Sequence, residues 1–245
     1  MSTAIEAALA TTARLEFREH LSGTDLSRMY ALLSRHFDGV SANQFNRDVA
    51  EKNWVILIER GGRLVGFTTI LAYETRFEGN PVSVIYSGDT IVAPDSWNTM
   101  ALPRKWIESV AMLRGRYRRG PYVWLLITSG FRTYRFLPMF WREFFPRFDC
   151  HTPASRQRLI DQLAGERFGN QYDAARGIVR FRNPQRLRGP LATIPAGRIE
   201  DPHVGFFASR NPDHEEGDEL VCLTELTPAN LTASGRRVAG TFCEW

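Results

Sequence analysis

The sequence predicts an α/β fold built on a mixed sheet, and three observations predict it. Val82-Ser-Val-Ile-Tyr-Ser-Gly-Asp-Thr-Ile-Val-Ala-Pro94 is an extended apolar run, followed by a helical pattern from Ala101 to Leu113. A second buried strand pattern, Tyr122-Val-Trp-Leu-Leu-Ile-Thr128, comes next. Strand, helix, strand at that spacing is a parallel crossover, because only a long connection returns a chain to the same edge in the same direction. Upstream, Trp54-Val-Ile-Leu-Ile58 and Leu64-Val-Gly-Phe-Thr-Thr-Ile-Leu71 flank Gly61-Gly62, a pair suited to the positive φ of a tight hairpin. The sheet is therefore antiparallel first and parallel later.

The other elements follow from local chemistry. Leu15–His20 alternates and reads as a first strand. Leu26, Met29, Tyr30, Leu33 and Phe37 recur at helical spacing behind Thr24 or Asp25 as cap. Ser41 caps a short helix to Glu51, and Glu78-Gly-Asn-Pro81 breaks the chain before Val82. The helix from Ala101 buries Leu102, Trp106, Ile107, Val110 and Leu113 on one face. After Gly130 an aromatic helix starts near Leu137 and ends near Phe145, with Pro138 in its first turn, where a missing N–H does least harm. Phe140, Phe144 and Trp141 then face the core. Ser155–Phe168 reads as a helix, and Pro184, Pro190, Pro195 and Pro202 punctuate an irregular stretch. Glu219–Leu226 reads as a strand, and Thr227-Pro228 opens a last helix. The texture changes near Phe148. The expected organisation is residues 1–148 as the main domain and 149–245 as a C-terminal extension packed on it.

Composition excludes several classes. At 43% hydrophobic and 24% charged residues the chain is an ordinary globular one. No apolar run reaches the ~20 residues that cross a bilayer. Met1–Thr12 lacks a basic start and reads as a lead-in, not a signal peptide. Cys150, Cys222 and Cys243 have no metal or redox spacing, so reduced thiols and a cytoplasmic location are expected. The histidines show no zinc spacing, and no metal is expected. All but two of the 31 basic residues are arginine, Lys52 and Lys105 being the exceptions. A net charge of +4 carried this way reads as compositional bias, so no nucleic-acid partner is expected. Its distribution says more. Arg104–Arg147 holds ten basic residues against Glu108 and Glu143, whereas Glu200–Glu225 is acidic but for Arg210. This favours an anionic ligand or acidic carrier, or internal pairing of the two regions. Arg114, Arg116, Arg118 and Arg119 read as a solvated loop or a hold for a phosphate.

This order of elements resembles the GNAT superfamily of N-acyltransferases from about Leu15 to Phe148. Tyr86-Ser-Gly-Asp-Thr-Ile-Val92 and Phe131-Arg-Thr-Tyr-Arg-Phe-Leu-Pro-Met-Phe-Trp-Arg-Glu-Phe-Phe-Pro146 look like phrases of a bacterial branch of it. The resemblance implies a mostly antiparallel sheet whose parallel pair splays apart, flanked by helices, with a thioester donor in the gap. The donor is acyl-CoA or an acylated carrier protein. The acceptor is the amine of a small molecule or amino acid, and a second copy of the chain is a further expected partner. The resemblance places donor contacts on Ile91, Val92, Trp97, Asn98, Thr99, Met100, Ala101 and Ser129, the first two through backbone N–H groups. Two departures stand out. Trp97-Asn-Thr-Met-Ala-Leu102 lies over the family's pyrophosphate loop without a glycine, and Phe140 falls where the family has its leaving-group tyrosine.

The chemistry needs a base, a carbonyl donor and a proton for the thiolate. Asp89 is the candidate base; its plainer reading is an Asp satisfying backbone N–H groups where the strand bulges at Gly88. Ser87 shares its face if the strand alternates strictly. Tyr134, between Arg132 and Arg135, is the substitute acid or else packing. Asn98 and Thr99 read first as caps of the next helix. The expected function is acyl transfer to an amine; the alternative is a GNAT-like binding module that has lost its cofactor.

Overall fold

The computed structural model describes residues 10–97 and 99–242. Asn98, Cys243 and most of the N-terminal lead-in thus lie outside the described residues. The chain opens with β1 (Thr11–Phe17), α1 (Gly23–His36), the short β2 (Phe37–Asp38) and α2 (Ala42–Ala50). Ser22, not Thr24 or Asp25, caps α1. Its hydroxyl accepts from Asp25 N–H while the Asp25 carboxylate accepts from Ser22 N–H. Ser41 caps α2 as expected. Then β3 (Trp54–Arg60), β4 (Arg63–Phe77) and β5 (Asn80–Val92) run as two successive hairpins, the second turning at Glu78-Gly79.

The crossover follows as α3 (Ala101–Arg114) and β6 (Tyr122–Thr128). The aromatic stretch turns helical earlier than expected and leaves the helix earlier: α4 (Phe131–Tyr134) and α5 (Phe136–Phe140), then β7 (Phe144–Phe145). Pro138 lies in the first turn of α5. Phe140, Trp141 and Phe144 are all buried. The remainder is α6 (Ala154–Phe168), β8 (Tyr172–Asp173), β9 (Ile178–Val179), β10 (Arg186–Leu187), α7 (Pro202–Arg210), β11 (Glu219–Glu225) and α8 (Ala233–Ala239). The proline-punctuated stretch thus contains a helix, capped by Asp201 with Pro202 in its first turn.

One sheet runs in the order β1-β3-β4-β5-β6-β11-β9-β8, with β7 also paired to β11. All pairs are antiparallel except β5 with β6. Side chains alternate across it. Ile56, Ile70, Ile85, Trp124 and Cys222 pack under α3, α4, α5, α7 and α8. Val84, Tyr86, Leu125 and Val221 pack under α6, while Leu57, Phe67 and Ile91 pack under α1 and α2. The 149–245 segment does more than pack on the first part. Its β11 bonds along β6 from Leu220↔Thr128 to Glu225↔Val123, so it supplies an inner strand of the same sheet. Among the described residues no helix is long and apolar enough to cross a membrane.

The parallel pairing is short. It runs from Ser83↔Tyr122 to Ser87↔Leu126 and stops, although β5 continues to Val92 and β6 to Thr128. The two strands splay beyond Ser87. Their closed end is pinned by Gly120, whose φ is 64° and whose added Cβ would lie 1.8 Å from the Pro81 carbonyl oxygen. A backbone atom that close cannot swing aside. Gly120→Ala is therefore expected to cost roughly 3 kcal/mol through positive φ plus backbone clash, read as a fall in denaturant midpoint with unchanged slope.

Candidate active site at the splayed strand pair

Beyond Ser87 the two strands bound a cleft of about 1100 Å³. Its outer side is crossed by the stretch around residues 182–198. There β10 pairs with β2, Arg188 N–H donates to His36 O at 2.9 Å, and Arg132 donates to Leu191 O at 3.1 Å. The C-terminal segment thereby ties the α1 side of the opening to the α4 side.

A bulge decides which side chains enter. Ser87 pairs with Ile70 and Thr90 with Thr68, so Gly88 and Asp89 together stand opposite Thr69. An extra residue reverses the alternation of everything after it. The expectation that Ser87 and Asp89 share a face fails for that reason. Ser87 turns to the α3 face, where its hydroxyl accepts from the indoles of Trp124 at 3.0 Å and Trp106 at 3.3 Å. Asp89 turns to the α2 face. Burial pushes its carboxyl up to about 6 against the pull of the Lys52 charge, and its Oδ2 is buried without a hydrogen-bond partner.

Sequence reasoning missed two groups beside Asp89. Lys52 is only 5% exposed and donates to Asp48 O at 2.8 Å. Burial lowers its pKa, with Asp89 opposing. Its stem runs where a Gly88 Cβ would stand, 2.6 Å from Lys52 Cε. Glu219, first residue of β11, lines the same cleft, and burial followed by the Asp89 charge pushes it up to about 8. Its position is set by its neighbour: Asp218 accepts from Asn211 at 2.7 Å through its backbone and from Arg180 at 2.7 Å through its side chain. The scarcity of lysine was a usable signal for Lys52. Glu219 had none, being an ordinary polar position at a strand end.

The expected donor contacts gather at the opposite wall. Ile91, Val92, Trp97, Thr99, Met100 and Ser129 line the cleft, whereas Ala101 is not among its lining residues. Ala93 N–H bonds Val65 O at 2.8 Å. Antiparallel alternation then commits Ile91 N–H to β4 and turns the N–H groups of Thr90 and Val92 to the gap. Of the two expected backbone donors, Val92 therefore faces the cleft and Ile91 does not. The Trp97 indole donates to Val92 O at 2.8 Å, and the Arg132 guanidinium lies 4.4 Å from the centre of the Trp97 ring. Thr99 does not cap α3; its hydroxyl donates back to Ser96 O at 3.1 Å. Among the described residues no side chain caps the α3 N-terminus, where the N–H groups of Ala101 and Leu102 have no intrahelical partners.

Tyr134 is not at the cleft. It is fully buried, donates to Pro146 O at 3.0 Å, and packs on Phe144 and Phe207. Burial raises its pKa instead of the neighbouring arginines lowering it, because Arg132 and Arg135 point elsewhere, Arg135 to Asp201. The arginine loop is also remote. Arg114 donates to Gly120 O, Arg116 stacks on Trp54 and Arg119 pairs with Glu74, all near the closed end of the strand pair.

The site is thus a gap between splayed parallel strands with a carboxylate on the inner strand. Residues 19–102 match a family model described as an acetyltransferase (GNAT) domain. Comparison with curated proteins gave no match. Similar solved structures include a conserved protein of Enterococcus faecalis V583 described as a probable N-acyltransferase. It is 11% identical over 51% of this chain and 31% of that one, with a TM-score of 0.39. Another is the Escherichia coli GNAT family N-acetyltransferase YhbS in complex with CoA, at 14% identity over 52% and 68%, TM-score 0.37. Escherichia coli ElaA is 14% identical over 59% and 93%, TM-score 0.39. The chain thus spans less than a third of the Enterococcus protein.

Glu219 carries a stability signature. Its pKa rises on folding from 4.5 to about 8, so the fold favours the neutral form. That contribution is present below pH 4.5 and is lost as pH rises through about 8. Glu219→Gln is expected to match the wild type in thermal midpoint near pH 5 and exceed it above pH 8, as followed by circular dichroism.

Proposed function

We propose that the protein is an N-acyltransferase that moves an acyl group from a thioester donor, acyl-CoA or an acylated carrier protein, to an amine. The observation that carries this reading is the polarity of the cleft. One wall offers N–H groups of Thr90, Val92 and the α3 N-terminus, with Arg132 and Arg198 beside them; the other offers Asp89 and Glu219. Anionic phosphates suit the first wall and an ammonium suits the second. The missing glycines are compatible with this, since an uncapped helix end still presents donors where close backbone approach is blocked.

Asp89 takes the ammonium proton. A carboxyl raised to about 6 is mostly ionised at neutral pH yet more basic than a free one, as a general base requires. The freed amine attacks the thioester carbonyl, whose developing oxyanion is met by backbone N–H on β5. The C–S bond then breaks with its electron pair going to sulfur, and the second proton on the new amide nitrogen is lost to water. A thiol has a pKa of about 8.5, so its thiolate leaves near neutral pH without a dedicated acid. This accounts for Phe140, fully buried, where the resemblance would place a tyrosine.

Titration calorimetry with acetyl-, butyryl- and longer acyl-CoA and with acylated carrier protein tests the donor; binding of none would remove the reading. Asp89→Asn is expected to lower kcat roughly a hundredfold or more while donor Kd stays put. The wild-type rate should rise with pH through an apparent value near 6. Arg132→Ala, which frees the Trp97 ring, is expected to weaken donor binding about tenfold and leave the Asp89 pH dependence unchanged.

A further inference from the structure

The acceptor wall holds two carboxylates that the fold leaves without partners. Several other acids around it are neutralised by arginine, Glu51 by Arg167 at 2.9 Å and Asp213 and Asp218 by Arg180, while Asp48 accepts from the Gln44 amide at 2.6 Å. Among the described residues neither Asp89 nor Glu219 forms an ion pair, and Asp89 Oδ2 is buried with no hydrogen bond. A buried carboxylate oxygen without a donor is costly unless something outside the chain supplies one. Both side chains belong to the same face of the sheet. Asp89 sits with Lys52 and Asp48, and Glu219 is in phase with Val221 and Leu223, which pack under α6.

The spacing matters. Asp89 is on β5 and Glu219 on β11, with β6 between them. Two strand spacings separate the strands by roughly 10 Å, and the splay adds to it. One ammonium does not satisfy both groups, whereas a flexible chain with a cation at each end does. Phe168 and Phe181, 6.0 Å apart, flank the same part of the cleft and offer methylenes an apolar wall. Lys52 offsets one negative charge at most, and Arg167 is already engaged with Glu51 and with the Tyr86 ring.

We infer that the acceptor is a short aliphatic diamine, its reacting amino group at Asp89 and its second ammonium at Glu219. This deepens the acyl-transfer reading and rests on it for which nitrogen reacts. Glu219 is then the residue that selects a dication, contributed by the C-terminal segment. The titratable and charged groups lining the cleft around the pair are Asp48, Glu51 and Lys52 from the α2 side, Tyr86 from β5, Arg167 from α6 and Arg182 beside Phe181, with Arg132, Arg135 and Arg198 on the same lining. Near neutral pH the empty Glu219 is largely protonated, so seating an ammonium there releases a proton.

The test is titration calorimetry of putrescine, butylamine and γ-aminobutyrate, the last two replacing one aminomethyl group by a methyl or a carboxylate. Putrescine is expected to bind at least about tenfold more tightly than either, with proton release seen as a buffer-dependent enthalpy. Glu219→Gln should erase that preference while leaving acetyl-CoA affinity as in the wild type. Equal affinity for the three ligands, a preference surviving in Glu219→Gln, or tighter γ-aminobutyrate binding would overturn the proposal. Should Glu219→Gln not fold, the absence of proton release in the wild type overturns it equally. Loss of every acyl donor with the diamine preference intact would remove the transferase reading and leave a diamine site standing.

Discussion

The pairing of β5 with β6 ends at Ser87, and every functional feature depends on that end. Sheet edges carry backbone donors and acceptors that must be met by something. Up to Ser87 they are met by β6. Beyond it, Val92 O takes the Trp97 indole, while the outward N–H groups of Thr90 and Val92 face the cleft. The end of pairing is fixed from both sides. Gly120 lies against Pro81 at the closed end, and the Ser87 hydroxyl holds two tryptophan indoles at the fork. A ligand rich in amides and phosphates finds there what a strand would have supplied.

The bulge at Gly88-Asp89 divides the labour between faces. One added residue sends Ser87 into a cluster of interlocking rings, with Trp106 and Trp124 centred 4.2 Å apart, and sends Asp89 to the opposite side. Lys52 and Gly88 form a matched pair at that point. The lysine stem occupies the volume a Cβ would take, and a linear ammonium chain fits where the planar fork of arginine would not. In a chain that otherwise uses arginine almost exclusively, lysine at this position follows from shape.

The C-terminal segment completes the site. Its β11 lies beside β6 and delivers Glu219, while the stretch through β10 closes the outer side by pairing with β2. Among the described residues one ion pair joins the basic and acidic regions, Arg135–Asp201, and the acidic stretch otherwise pairs with arginines of the C-terminal segment, as in Arg156–Glu225 and Arg180–Asp218.

Local chemistry made much of this legible in the amino-acid order. The Gly61-Gly62 hairpin, the helix from Ala101, the strand Tyr122–Thr128 and the Ser41 cap follow from turn residues and apolar periodicity, which act within a few positions. Asp89 was legible as the acid on the inner strand beside a bulge. Tyr134 misled, since burial of a phenol is decided by α7, far along the chain. Glu219 and the strap around residues 182–198 belong to the tertiary structure alone, and Lys52, though marked out by the rarity of lysine, gains its role only there. Their meaning comes from strand order, which brings β11 next to β6 across more than ninety residues, and no local pattern encodes which distant strand fills an open edge.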